Sequence, residues 1–364
     1  MVTTRIRVTL RDVEPTVVRV IDVPASTSLP ELHHLLQAAL GWADDHLHQF
    51  VAGETVWGVP DPDAPEEERD EGEARLQDLP ERFTYLYDFG DYWEHDVEVL
   101  GVGAEQPGCA DGEGMCPPED CGGSRGYAQL LAVLADPSHP EHTTMRHWAG
   151  ELADFDLVAA DQLVREVVGA VPASVRLVLD LAEGGVSLTP GGRLRRAFVR
   201  QVQDQRPHWY PLERPAATED DLRPLVELHH LLRKVGLLRL NKGVLKPTKA
   251  AADDLEVIRR LRSWFVPQEF TGMVVNAVVG LLATTGAQPV KELAATVHRL
   301  VASGWAMDGQ PLTLEDTEFL MFRLYATLTG LDLVEEWGRT WHPGDSARSL
   351  MPRPALLAGR QAAN

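Results

Sequence analysis

Cysteine is scarce in this chain, cationic charge is nearly missing from its first half, and no apolar run is long. Three cysteines in 364 residues is an odd number at low density, which excludes the disulfide framework of a small secreted protein. No stretch approaches the ~20 consecutive apolar residues that span a bilayer. The opening MVTTRIRVTLRD alternates like a strand and lacks the apolar core of a signal peptide, so the cytoplasm is the default location. Residues 1–172 contain 34 acids against 10 bases, all of them arginine, for a net charge of −24. The remaining residues carry 21 acids and 24 bases, net +3. A front half this acidic repels nucleic acid and anionic membrane, so any polyanion contact falls to the back. No Walker pattern occurs, and GGSRGY (residues 122–127) makes a poor phosphate cradle because Glu119 and Asp120 crowd it with negative charge.

What is present is a normal globular composition, 44% hydrophobic, in a chain long enough for two or three domains. The front half is organised around residues 83–127. Phe83, Tyr85, Tyr87 and Phe89 alternate with other residues and share one face of a strand; after a turn at Gly90-Asp91, Trp93, His95, Val97 and Val99 share a face of its partner. All three cysteines follow, in a loop that Pro117 and Pro118 keep out of a helix. Upstream, residues 4–10 and 17–23 form a hairpin. Ser28 caps a helix whose buried stripe is Leu29, Leu32, Leu35, Leu36 and Leu40 and which Gly41 ends. WADDHLHQF (residues 42–50) leads into another strand. Ten acids between Asp61 and Glu81 read as a solvated, mobile loop. Three helices follow, at residues 127–134, 138–150 and 154–168. Strands followed by helices, without βαβ alternation, indicate an α+β domain with an antiparallel sheet and helices on one side, over residues 1–172.

The segments LPELHHLLQAALGW, HLHQF, YLYDFGDYWEHDVEV, CPPEDCGGSRGY and DPSHPEH followed by FD resemble, in content and order, the plasmid pRiA4b ORF-3-like family, over residues 4–168. The resemblance implies an α+β fold and a bacterial setting, sometimes beside mobile elements. It implies no reaction.

The back half reads as a degenerate repeat. Residues 225–255 give a helix, a cap at Gly236, a hairpin turning at Asn241-Lys242-Gly243 and a helix capped by Thr248; residues 319–350 repeat the scheme around Gly330. Further helices at VVNAVVGLLATTG and PVKELAATVHRLV complete a winged-helix order, predicting mostly α winged-helix-like modules over 185–262 and 268–350 and a disordered tail over 351–364.

Four chemistries compete. His95, Cys109, Cys116 and Cys121 are enough ligands for one zinc ion, and zinc held there would make the His95/Cys116 loop a metal-dependent hydrolase, but the Cys-x6-Cys-x4-Cys spacing lacks the usual knuckle, and small buried cysteines are the plainer reading. Tyr85, Tyr87, Asp88, Asp91, Trp93, His95, Glu119 and Asp120 form a candidate site in which paired carboxylates beside rings could do hydrolytic acid–base work; the same acids also cap turns and helix starts. The triplet Asp88-Phe89-Gly90 has none of the companion motifs of a kinase. Nucleic acid could meet Arg193, Arg195, Arg196 and Arg200 on one helix and Arg239, Lys242 and Lys246 on the first wing, although Glu219-Asp220-Asp221 at the head of the reading helix opposes docking. The leading expectation is a non-enzymatic binding or adaptor protein. It would engage a protein partner, or dock its own basic helix (residues 193–200) on the acidic front domain.

Overall fold

The computed structural model describes residues 2–59, 68–150, 152–210, 212, 214–265, 269–302, 306–307, 310–351 and 355–356. The chain divides into two compact units, Met1–Val168 and Gly169–Asn364.

The first unit is built on strands β1 (Thr3–Leu10), β2 (Val18–Pro24), β3 (His48–Ala52), β4 (Thr55–Gly58), β5 (Glu68–Asp70), β6 (Arg82–Tyr87), β7 (Trp93–Val102) and β8 (Gly108–Glu113). Its helices are α1 (Leu29–Leu40), α2 (Gly123–Ala135), α3 (His142–Ala149) and α4 (Leu157–Val168). One eight-stranded sheet runs β5-β4-β3-β6-β7-β1-β2-β8. It is mixed and not purely antiparallel, because β5 pairs in parallel with β4. The acidic insert supplies that strand, so its second half is not a loose loop; residues 60–67 of the insert lie outside the described residues. Glu71, just past β5, is buried, because His48 Nε2 meets its carboxylate at 2.9 Å.

Alternation decides the two faces of the sheet. Ile6, Val8, Phe50, Phe83, Tyr85, Tyr87, Trp93 and Val97 turn inward and join Leu29, Leu32, Leu35 and Leu36 of α1 and Val164 of α4 in one core. The opposite face of the central strands is a ladder of cross-strand ion pairs: Arg5–Asp22 (2.7 Å), Arg7–Glu98 (3.1 Å), Arg82–Glu98 (2.6 Å) and Arg11 with Glu94 and Asp96. Helix α1 begins at the Ser28–Glu31 capping box and ends at Gly41, whose φ of +86° is left-handed. The hairpin β6–β7 aligns Phe83 with Val97, Tyr85 with His95 and Tyr87 with Trp93. Phe89 departs from the expected face: β6 stops at Tyr87, Asp88 turns into the left-handed region at φ +59°, and Phe89 is exposed.

The second unit repeats one order of elements. Its first half contains α5 (Ala173–Ala182), β9 (Val186–Ser187), α6 (Arg196–Gln205), α7 (Arg223–Lys234), the hairpin β10 (Leu238–Asn241) and β11 (Val244–Pro247), and α8 (Asp254–Arg262). Its second half contains α9 (Phe270–Thr285), β12 (Gln288–Pro289), α10 (Val290–Val301), a short pair β13 (Ala306–Met307) and β14 (Gln310–Pro311), α11 (Leu314–Gly330), the hairpin β15 (Val334–Trp337) and β16 (Thr340–Pro343), and α12 (Ala347–Leu350). The small sheets run β10-β11-β9 and β12-β16-β15. The region is helical with small sheets, and its first half starts at α5, ahead of the expected residue 185. One apolar core joins both halves, from Val175 to Ala355. Met351 and Ala355 belong to that core, so the tail expected from 351 is packed at those two positions; 352–354 and 357–364 lie outside the described residues.

Candidate functional site

The residues best placed for chemistry gather where β6, α1, the loop after α1 and the loop before α2 meet. Alternation on β6 sends the Tyr85 and Tyr87 rings inward, and each hydroxyl ends on a polar network. Tyr85 accepts a hydrogen bond from Gln37 Nε2 (3.0 Å) and lies 2.7 Å from His33 Nδ1. His33 Nε2 is 2.6 Å from Asp44 Oδ1. A neutral imidazole has one N–H, which goes to the carboxylate, so Nδ1 accepts from the Tyr85 hydroxyl. Burial pushes His33 down to about 3, against the opposing pull of Asp44. Burial works against the Asp44 carboxylate as well, but contacts from His33 and His34 outweigh it and hold Asp44 below the usual range. His48 stacks on His33 with centroids 3.4 Å apart, its far nitrogen on Glu71.

Tyr87 ties the two loops together. Its hydroxyl donates to Glu119 and accepts from the backbone N–H groups of Asp45 (3.0 Å) and His46 (3.3 Å), while the other Glu119 oxygen accepts from the Ala43 N–H (2.7 Å). Burial first, and then the Glu119 carboxylate, push the Tyr87 phenol far above its ordinary value. Trp42 lies over Tyr87 at 5.0 Å, meets His95 edge-on at 5.3 Å, and donates from its indole to Pro117 O (2.8 Å). The loop after α1 is thus pinned over the hairpin.

A second group lies at the turn of that hairpin. His46 Nε2 is 3.4 Å from Asp120 Oδ1 and 3.6 Å from Asp88 Oδ2. Asp88 Oδ1 accepts from the N–H groups of Gly90 (2.8 Å) and Asp91 (3.2 Å). Asp88, Tyr92 and Asp120 all take left-handed backbone, with φ of 59°, 59° and 60°. Leu47, Phe89 and Tyr92 around this turn are exposed. Asp91 turns aside and accepts from the Gly122 N–H (3.0 Å). Gly123 is required there: a Cβ on it would stand 2.5 Å from Asp91 O at a φ of +68°.

The structure therefore brings buried Tyr85, Tyr87, Trp93 and His95 and half-buried Glu119 into one cluster and sets Asp88 and Asp120 beside His46, with Asp91 serving the backbone. It does not assemble the expected zinc set. His95 sits on β7 and Cys109 on β8, with β1 and β2 between them, a separation of roughly 14 Å at ~4.8 Å per strand. Cys109 points its thiol at Val20 O and Asp111 O. Burial raises Cys109 to about 11 and Cys116 and Cys121 to about 12, which keeps them as thiols. Among the described residues, the groups with three convergent metal-ligand atoms are His33/His34/Asp44 and His46/Asp88/Asp120. Neither was singled out by spacing. The available signal was density: four of the 13 histidines fall within residues 33–48, beside Asp44 and Asp45.

In the second unit, the acids expected at the head of the third helix lie ahead of it and have partners within the fold. Glu219–Asp221 is a separate turn before α7. Glu219 is buried, held 2.8 Å from His229 Nδ1 and accepting the Leu194 N–H at 2.6 Å. Asp220 pairs with Arg193 (3.0 Å), and Asp221 caps Thr218. Arg195 donates to Ser187 O and Arg196 to Ala217 O, so these side chains are tied within their own unit, while Arg200 is exposed. Arg223, His230, Arg233 and Lys234 are exposed on α7, as are Arg239, Lys242 and Lys246 on the hairpin that follows.

Comparison with known proteins places this geometry in context. Residues 3–163 match the family model of the plasmid pRiA4b ORF-3-like proteins, and residues 167–257 match that of the Y4jL N-terminal domain. The uncharacterized protein y4hQ of Sinorhizobium fredii is 40% identical over 166 residues, which cover 43% of this chain and 85% of that protein. A crystal structure of the protein of unknown function MM3350 from Methanosarcina mazei Go1 aligns at 28% identity and a TM-score of 0.40, over 43% of this chain and 96% of that one. No described helix is long and apolar enough to cross a membrane.

Proposed function

The chain belongs, through residues 3–163, to the plasmid pRiA4b ORF-3-like family, and from that premise we propose that it is a non-enzymatic binding protein whose second unit contacts nucleic acid through its first half. One observation carries the reading: the solvent stripe of α7 and the following hairpin present Arg223, His230, Arg233, Lys234, Arg239, Lys242 and Lys246 around the half-buried Glu227, while ahead of α7 Glu219 is buried, Asp220 pairs with Arg193 and Asp221 accepts from backbone N–H groups. Charge agrees. Residues 169–265 hold 17 bases against 11 acids, net +6, in a chain of net −21. Residues 266–364 are net −3, with 7 bases against 10 acids.

The order helix, strand, helix, helix, hairpin, with the lone strand pairing to the second hairpin strand, supports reading each half as a winged-helix module. In such a module the third helix and the wing face the nucleic acid. Catalysis at the His95 and cysteine loop is a poorer reading. General acid–base work at neutral pH needs groups poised near 7, whereas burial takes His95 to about 4 and Cys116 to about 12.

The test is fluorescence polarisation of the full chain with labelled random-sequence duplex DNA, across a salt series. Binding is expected in the ~10⁻⁴ to 10⁻⁶ M range of non-specific complexes, with log affinity falling by about 0.9 per phosphate contact per log unit of salt. Arg233→Glu with Lys242→Glu should abolish it, and Glu336→Gln in the second half should not weaken it. Failure to bind at low salt, or binding that the double variant retains, removes the proposal.

A further inference from the structure

We propose that His46, Asp88 and Asp120 form a binding site for one divalent first-row metal ion, zinc fitting best, at the turn of the β6–β7 hairpin. The inference is independent of the nucleic-acid reading. It rests first on spacing. His46 Nε2 stands 3.4 Å from Asp120 Oδ1 and 3.6 Å from Asp88 Oδ2. Those gaps exceed the ~2.7–3.2 Å of an N–H···O hydrogen bond. They approach the edge of a tetrahedron around zinc, about 3.3–3.4 Å for metal–ligand bonds of ~2.0–2.1 Å.

The second support is what these atoms do otherwise. His46 Nε2 is buried and has no hydrogen-bond partner, an orphan that a buried ring nitrogen rarely tolerates. The Asp88 side chain is 8% exposed; it spends Oδ1 on two backbone N–H groups and turns Oδ2 towards His46 with no hydrogen bond of its own. One imidazole nitrogen with two carboxylates is a ligand set that first-row divalent ions accept. The surroundings hold the set in place. Gly90 and Asp91 fix the Asp88 carboxylate from behind, and Tyr87 takes the backbone N–H of His46, as outer-shell groups do at metal sites. Asp120, 75% exposed, leaves an ion reachable from solvent.

The neighbouring group His33/His34/Asp44 is a worse host. Its His33 Nε2 and Asp44 Oδ1 already share a 2.6 Å hydrogen bond, whose proton an ion would have to expel from a buried position.

The experiment is zinc titration of the chelator-stripped full chain by calorimetry, with cobalt(II) as a spectroscopic substitute. About one equivalent should bind, and cobalt should show the visible absorption of a low-coordinate site. His46→Gln should remove that signal, and Asp120→Asn, at an exposed position where folding is undisturbed, should weaken zinc by ~100-fold or more, beyond a typical outer-shell loss. Cys116→Ser should bind as the wild type does. No stoichiometric uptake, uptake unchanged in a folded Asp120→Asn chain, or loss of uptake in Cys116→Ser would overturn the assignment.

Discussion

Replacing His95 by leucine should make the first unit less sensitive to acid. His95 is fully buried, with Trp42 at its edge and the Tyr85 ring 5.3 Å away. Its Nδ1 is 3.2 Å from Tyr85 O, which can only accept, so Nδ1 carries the proton. Nε2 has no hydrogen-bond partner, so a second proton there would be stranded in the core. Burial accordingly lowers its pKa from 6.5 to about 4. Below pH 6.5 the unfolded chain takes up this proton and the folded chain does not, until the pH nears 4. Stability is therefore full above the unfolded value and drains away across that window as the pH falls. Between about pH 7.5 and pH 4.5 the loss comes to about 2.5 kcal/mol, a ~70-fold change in the opening equilibrium. His95→Leu lacks the titration. Whatever its offset at neutral pH, the gap to wild type should move by about 2.5 kcal/mol in its favour on acidification. Burial also lowers His33, to about 3, but that group titrates in both proteins and cancels. Hydrogen exchange of β6 and β7 peptides in the full chain, compared between variant and wild type at the two pH values, reads the difference directly. Parallel behaviour of the two proteins would refute the burial argument.

Two further outcomes follow from buried groups. Burial holds Cys109 near 11 and Cys116 and Cys121 near 12, so the native chain at neutral pH should react with a thiol reagent at least ~10-fold more slowly than the unfolded chain, where all three respond. Fast stoichiometric labelling of native protein would contradict this. Glu219→Ala strands the Leu194 N–H and the His229 ring inside the second unit and should cost about 3 kcal/mol in denaturant unfolding followed on α7 peptides; a loss under ~1 kcal/mol would mean that water replaces the carboxylate.

The hairpin was legible because alternation is a local signal. Tyr85 opposite His95 and Tyr87 opposite Trp93 follow from it, and the misplacement of Phe89 marks where a left-handed Asp88 breaks the period. The capping box and Gly41 fixed α1 in the same local way. Composition misled in the acidic insert, where a net-charge argument cannot see that Glu71 has His48 waiting for it inside the fold. At Glu219-Asp220-Asp221 composition gives the charges but not their partners, His229, Arg193 and the Thr218 N–H, which only packing supplies. The His46/Asp88/Asp120 group was invisible because its members come from three segments that only tertiary packing brings together. The cysteine set failed for the converse reason: its residues are near in sequence, but β1 and β2 separate His95 from Cys109.

The short strand Glu68–Asp70 also bears on how the molecule behaves in a crowd. A sheet that stopped at β4 would offer Val56 and Trp57, with their unsatisfied backbone groups, as a template for a stranger's chain. Instead its last rung is three residues long and made wholly of charged side chains. The insert is thus a bumper: whatever else its carboxylates do, they finish the sheet with a margin that neither grows nor sticks.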